Sequence, residues 1–207
     1  MGPALALIEL DSIAVGIEAG DAMVKRAPVE VVRAGTVHPG RYLILITGDV
    51  AAVEEAFGAG VDVGQGALVD TVLLPNVHAQ VVRALRGERR PGSGDALGVV
   101  ETATAAATIE AADAGVKGAA VELLELRLAD GLGGKGYLLF DGTVSDVEAA
   151  VAIAVARISD PSEAPSTTSR VQPPVARVIA QLHREMRAEL EAAPRFGDRL
   201  RPARGEA

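Results

Sequence analysis

The chain opens on ALALIEL (4–10), apolar apart from Glu9 and read as a strand. Asp11 and Ser12 then stand as caps before SIAVGIEAGDAMVKRA, where Ile13, Ile17, Val24 and Ala27 share one face of a helix. PVEVVRAGTV is rich in β-branched residues and runs into a Gly-containing loop, after which RYLILIT is the next strand. GDVAAVEEA reads as a turn entering a helix, GALVDTVLLP as a strand and NVHAQVVRALRG as a short helix. From residue 96 the order recurs, with ALGVVET, AVELLELRL and YLLF as strands. The helix after YLLF is capped by Thr143 and Ser145, and Glu148, three residues beyond Ser145, is its capping-box partner. Each half is therefore βαββαβ followed by a helix. Paired βαβ units with helices on one face predict an α+β, ferredoxin-like sandwich.

The recurrence extends to identities. Residues 4–30 align without gaps on 96–122, matching at roughly half the positions, among them Glu9/Glu101, the IEA at 17–19 and 109–111, Asp21/Asp113 and Lys25/Lys117. After a two-residue length difference, 40–56 align on 134–150. A period of about 92–94 residues is far longer than a solenoid repeat, so each copy is a whole small domain. The expected organisation is a first domain at 1–86, a linker at 87–95 (GERRPGSGD, with no apolar residue), a second domain at 96–182, and an exposed helix fraying into a disordered tail at 183–207. A polar stretch at 159–169 interrupts the second copy before its last strand.

Composition narrows the functions open to such a pair. Of 207 residues only 2% are aromatic and the net charge is −8, which weighs against stacking platforms and against a binder of phosphate backbones. Cysteine is absent, which removes disulfides, thiolate metal sites, iron–sulfur clusters and a thiol nucleophile. The N-terminus lacks a basic region and meets Glu9 and Asp11 early, so it is not expected to be a signal peptide. No apolar run is long enough to span a membrane, and the expectation is a soluble, cytoplasmic protein.

Candidate chemistry is sparse. The duplicated carboxylates are more simply explained by needs both copies share; Asp21 precedes Lys25, and Asp113 precedes Lys117, in the favourable order of an i,i+4 helix pair. DGLGGKGY (130–137) departs from the phosphate-binding GxxxxGK[ST] pattern and leads into a strand rather than a helix, so its glycines are read as allowing a tight loop. His38 lies in the matching loop of the first copy, while His78 and His183 lie near helices and are expected to face solvent. No catalytic, metal or cofactor site is expected.

These segments resemble, twice over, the shell-protein domain of bacterial microcompartments. The likeness rests on DAMVK in the first helix, GDVAAVEEA and LVDTVLLPNVH occurring in that order. It covers 4–158 strongly and 159–182 loosely, and leaves the tail outside. Two unpermuted domains are similar to the tandem shell proteins, above all the propanediol-utilisation type. The resemblance implies a non-enzymatic, pseudohexameric homotrimer that packs with hexameric tiles and vertex proteins around encapsulated enzymes, without nucleic acid or membrane. It places the loop after each second strand at a central pore for small metabolites: Thr36, Val37, His38, Pro39 and Gly40, then Asp130, Gly131, Leu132, Gly133 and Gly134. Lys25 and Lys117 match the family's lysines along contacts between tiles. In the propanediol type a cysteine stands where this chain has His38, so an iron–sulfur cluster held in that way is excluded. The rival expectation is a ferredoxin-like oligomer, binding protein or enzyme, with ligand sites between subunits.

Overall fold

The computed structural model describes residues 3–159 and 172–192. In the first copy, β1 (Ala4–Leu10), α1 (Ile13–Arg26), β2 (Glu30–Val37), β3 (Arg41–Gly48), α2 (Val50–Gly64) and β4 (Leu68–Leu74) are followed by α3 (Ala79–Leu85). The second copy repeats them as β5 (Ala96–Thr102), α4 (Ala105–Gly118), β6 (Glu122–Arg127), β7 (Gly136–Gly142), α5 (Val144–Ser159), β8 (Val175–Ala180) and α6 (Arg184–Glu191). The strands form two four-stranded antiparallel sheets, ordered β2-β3-β1-β4 and β6-β7-β5-β8, the ferredoxin-like order.

Why β1 reads as an unbroken apolar run is plain from its surroundings. Ala4, Ala6, Ile8 and Leu10 pack under α1 and α2 with Ala19, Met23, Val53 and Ala56. Leu5 and Leu7 point to the opposite face, where they join a cluster with Val77, Val81 and Ala84 that continues into the core of the second copy. A strand covered on both faces has no solvent side to mark with polar residues. The core thus runs across the boundary between the copies.

Four sequence expectations need correction or refinement. The apolar face of α1 is not turned to its own sheet: Gly16, Ala19 and Met23 are buried, whereas Ile13 is 43%, Ile17 58% and Val24 45% exposed. At the start of α5 the hydroxyl of Thr143 accepts the Asp146 N–H at 3.2 Å and donates to the Asp146 carboxylate at 2.7 Å, so the side chain that answers the cap is Asp146, not Glu148. His78 is half-buried, not solvent-facing, because it caps α3 with Nδ1 accepting the Gln80 N–H at 3.3 Å. His183 is exposed and caps α6 in the same way, at 3.4 Å from the Glu185 N–H. The helix expected as the start of a tail is therefore the second copy's equivalent of α3. Residues 160–171, which take in all of the polar stretch but Ser159, and 193–207, the tail proper, lie outside the described residues.

The Gly- and charge-rich connection at 87–95 is tied down. Arg90 N–H donates to the Leu124 carbonyl at 3.0 Å, and the Arg89 guanidinium pairs with buried Glu125 at 2.7 Å. The same guanidinium donates to the carbonyls of Leu190 and Ala192 at the end of α6, an arginine cap on a helix C-terminus. Gly94 is required by close approach, since a Cβ there would stand 2.6 Å from Gly142 backbone atoms.

Candidate functional site

Two neighbouring regions gather the residues singled out in the sequence. The first is a pair of loops. The turn at 38–40 joins β2 to β3, closed by Gly40 N–H donating to the Val37 carbonyl at 2.9 Å, with Gly40 at φ +105°. The longer loop at 128–135 joins β6 to β7 and passes through left-handed backbone at Gly131, Gly133 and Gly134. The loops lie side by side. His38 Nδ1 stands 3.5 Å from Asp130 Oδ1, both side chains largely exposed, and a Cβ on Gly134 would come within 3.0 Å of Pro39. Thr36 and Gly133 are exposed, while Val37 and Leu132 are half-buried supports. The two loops expected to act together are thus adjacent within one chain, offering an imidazole, a carboxylate and glycine backbone to solvent.

The second region is the seam between the copies, where the N-terminus of α4 meets the ends of β1 and β4. Glu9 is fully buried; one carboxylate oxygen accepts Arg41 Nη1 at 2.5 Å and the other the Ala105 N–H at 2.9 Å. Asp70, opposite Glu9 in the β1–β4 register, accepts the Thr104 hydroxyl and the Thr71 N–H, the latter at 2.8 Å. Thr104 in turn caps α4 by accepting the Ala107 N–H at 3.2 Å. Two carboxylates therefore face the positive end of α4: Glu9 takes the Ala105 N–H directly, and Asp70 holds the Thr104 hydroxyl that takes the Ala107 N–H. Burial pushes the Glu9 carboxyl above its ordinary value, with Arg41 pulling it down, and burial likewise raises Asp70 against the hydrogen bond from Thr104. Arg41 directly follows the 38–40 turn, so the seam also anchors the base of that loop.

Further along α4, the His78 N–H donates to Asp113 at 2.8 Å. Asp113 pairs with Lys117, whose ammonium also donates to the Asn76 carbonyl at 2.5 Å. The Gln80 amide bridges the edge of β6, donating to the Val121 carbonyl at 3.1 Å and accepting the Leu123 N–H at 2.6 Å. Arg83 pairs with Glu122 at 3.0 Å. The first copy's counterparts are open: Asp21 and Lys25 pair at 2.5 Å on the surface, the lysine side chain 73% exposed. The second copy's Glu101–Lys135 pair, at 2.8 Å, matches Glu9–Arg41 and is also open.

Sequence reasoning singled out Glu9, Asp113 and Lys117 as duplicated, but missed Asp70, Thr104, Arg41 and Gln80. An aspartate in the middle of the strand LVDTVLLP was the available signal for Asp70; the others act through contacts distant in sequence. Among the described residues no group of three or more His, Cys, Asp or Glu converges as a metal site, and no helix is long and apolar enough to cross a membrane.

The model of the BMC domain matches this chain twice, over residues 4–77 and 96–173. The bacterial microcompartment shell protein PduT of Citrobacter freundii is 44% identical over 154 residues, which cover 74% of this chain and 84% of that protein. The major carboxysome shell protein CsoS1 of Prochlorococcus marinus subsp. pastoris is 38% identical over 102 residues, 47% of this chain and 92% of its own. Among solved structures, a microcompartment protein from Desulfitobacterium hafniense superposes with a TM-score of 0.73 at 37% identity, covering 91% of this chain and 99% of that one.

Proposed function

Because the chain belongs to the BMC-domain family and carries that domain twice, we propose that it is a structural facet tile of a bacterial microcompartment shell, three chains closed into a pseudohexagonal ring around a pore. The observation that supports this best is the unequal fate of one helix face. Ala105, Ile109 and Val116 of α4 are buried against the first copy, whereas their counterparts on α1, Ile13, Ile17 and Val24, are exposed. At the other end of the molecule Val175, Ile179 and Met186 on β8 and α6 are exposed, where the matching elements β4 and α3 are engaged. The chain thus has one used and one unused copy of a head-to-tail interface. Such heterologous contacts form a closed ring when the rotation between neighbours closes.

In that ring the loops at 36–40 and 130–134 surround the axis. Three His38 and three Asp130 side chains, with the exposed backbone of Gly40, Gly131 and Gly133, set the size and charge of a passage for small metabolites, Gly134 itself being buried. Lys25 and Lys117 stand at the rim, where tiles meet hexameric tiles and vertex proteins of the same shell, with enzymes enclosed behind them. The role is structural and gating rather than catalytic, and requires no metal or cofactor. Light scattering tests the ring: three chains of 21.2 kDa give a particle of about 64 kDa, and negative-stain images of the same sample show flat hexagonal sheets. A monomer or dimer that forms no sheets overturns the proposal.

A further inference from the structure

The seam inside the chain is a template for the seam between chains, and its polar ties have unused duplicates. We infer that Glu101 and Asp21 are docking residues for a second copy of this chain: Glu101 receives the Ile13 N–H at the start of the next copy's α1, and that copy's Asp21 receives the His183 N–H of the first. This rests on the ring proposed above and adds which side chains hold it.

Position by position the correspondence is tight. Glu9 accepts Ala105 N–H with Arg41 beside it; Glu101 holds the same place on β5, with Lys135 beside it and its side chain 44% exposed. Ala105 opens α4 after the cap Thr104, as Ile13 opens α1 after Ser12, whose hydroxyl accepts the Val15 N–H at 3.4 Å. First-turn amides of a helix have no partner within the helix, so a carboxylate brought there meets both free donors and the positive end of the dipole. Asp113, 5% exposed in its side chain, accepts the His78 N–H, while Asp21, 56% exposed, has the same lysine one turn on. His78 and His183 cap their helices alike, which presents the same amide at both places.

The copy also departs from the template. In the β5–β8 register Val175 lies opposite Glu101, where Asp70 lies opposite Glu9. Aligned on the two histidine caps, Glu185 replaces Gln80 and Ala188 replaces Arg83. The seam between chains therefore lacks the second carboxylate and the stitch to the sheet edge. It relies more on apolar contact and on Glu101 and Asp21, and is the weaker of the two joints.

The test is the concentration at which the ring of the full chain dissociates, followed by sedimentation for wild type and the double variants Glu101→Ala/Asp21→Ala and Glu101→Gln/Asp21→Asn. Both variants are expected to raise the dissociation midpoint at least roughly tenfold, with far-UV circular dichroism unchanged because both side chains are exposed in the single chain. Equal midpoints in variants and a three-chain wild type overturn the inference and leave the ring standing. A wild type that never forms three-chain particles overturns the ring as well.

Discussion

Helices α1 and α4 carry closely related sequences, yet only α4 has its outer face covered within the chain. On α4, Ala105, Ile109 and Val116 pack against the first copy, and Asp113 is taken into the seam; on α1 the matching Ile13, Ile17, Val24 and Asp21 meet water. Beneath them the cores differ by exchange of bulk. Gly16 on α1 faces Tyr42, which a Cβ would approach to 2.5 Å, whereas in the second copy the helix carries Thr108 and the strand has Gly136, a Cβ there lying 2.0 Å from the Thr108 hydroxyl. Met23 and Ile46 in the first copy likewise become Gly115 and Phe140 in the second, where a Cβ on Gly115 would meet the Phe140 ring at 2.3 Å. Duplicate backbones thus keep their shape while volume moves between helix and strand, as close packing requires. A duplicated residue has no fixed energetic worth, since the neighbour that buries it sets the value.

The widest difference between the seams should appear on removing their glutamates. Glu9→Ala strands the Arg41 guanidinium and the α4 N-terminus, and is expected to lower unfolding stability by about 3 kcal/mol, whereas Glu101→Ala in the single chain should cost under about 0.5 kcal/mol. Urea unfolding of the two variants under conditions that keep the chain monomeric checks this, and equal costs would erase the distinction. The exchange of bulk comes next. Gly16→Thr alone should cost about 2 kcal/mol through overpacking, and Tyr42→Gly introduced with it should recover part of that loss. A coupling energy of at least about 1 kcal/mol in the double-mutant cycle is expected, and additive effects would break the equivalence of the two pairs.

The smallest effect is in pH. Burial raises Glu9 above its ordinary 4.5 and Asp70 above its ordinary 3.8, so the folded chain binds these protons more tightly than the unfolded one. Their contribution is fully present below the ordinary values and is lost as pH rises through the raised ones. Unfolding free energy should therefore decline as pH climbs out of the acid range, and Asp70→Asn should make that decline shallower. A slope unchanged in the variant would remove Asp70 from the account.

Strands, repeats and loops were legible because they are local. A period of two or of 3.6 and a glycine cluster lie within a few residues of one another, and the loops at 36–40 and 130–134 could be aligned from their flanking strands. What covers each face was not legible. The spacing of Ile13, Ile17 and Val24 reports a face that prefers burial, but not that its cover is absent from the single chain. Arg41 and Glu9 are 32 residues apart, and Glu9 and Ala105 are 96 apart, so no window along the chain holds the seam. The connection at 87–95 reads as a spacer from its glycines and charges; only the approach of Glu125 and the end of α6 turns Arg89 into a tie. The helix at 184–191 has few apolar residues to mark it, and its kinship with α3 emerges from the shared histidine cap.

That tie at Arg89 bears on how errors would accumulate in the proposed ring. Each joint between neighbouring wedges has some angular slack, and slack summed around the circle decides whether the ring closes cleanly or admits a wrong number of members. With the connection pinned at Arg89, Arg90 and Gly94 and the core continuous across it, every second joint is set when the polypeptide folds. In the proposed ring only the joints between chains would remain adjustable, so half of the circle would carry all of the tolerance.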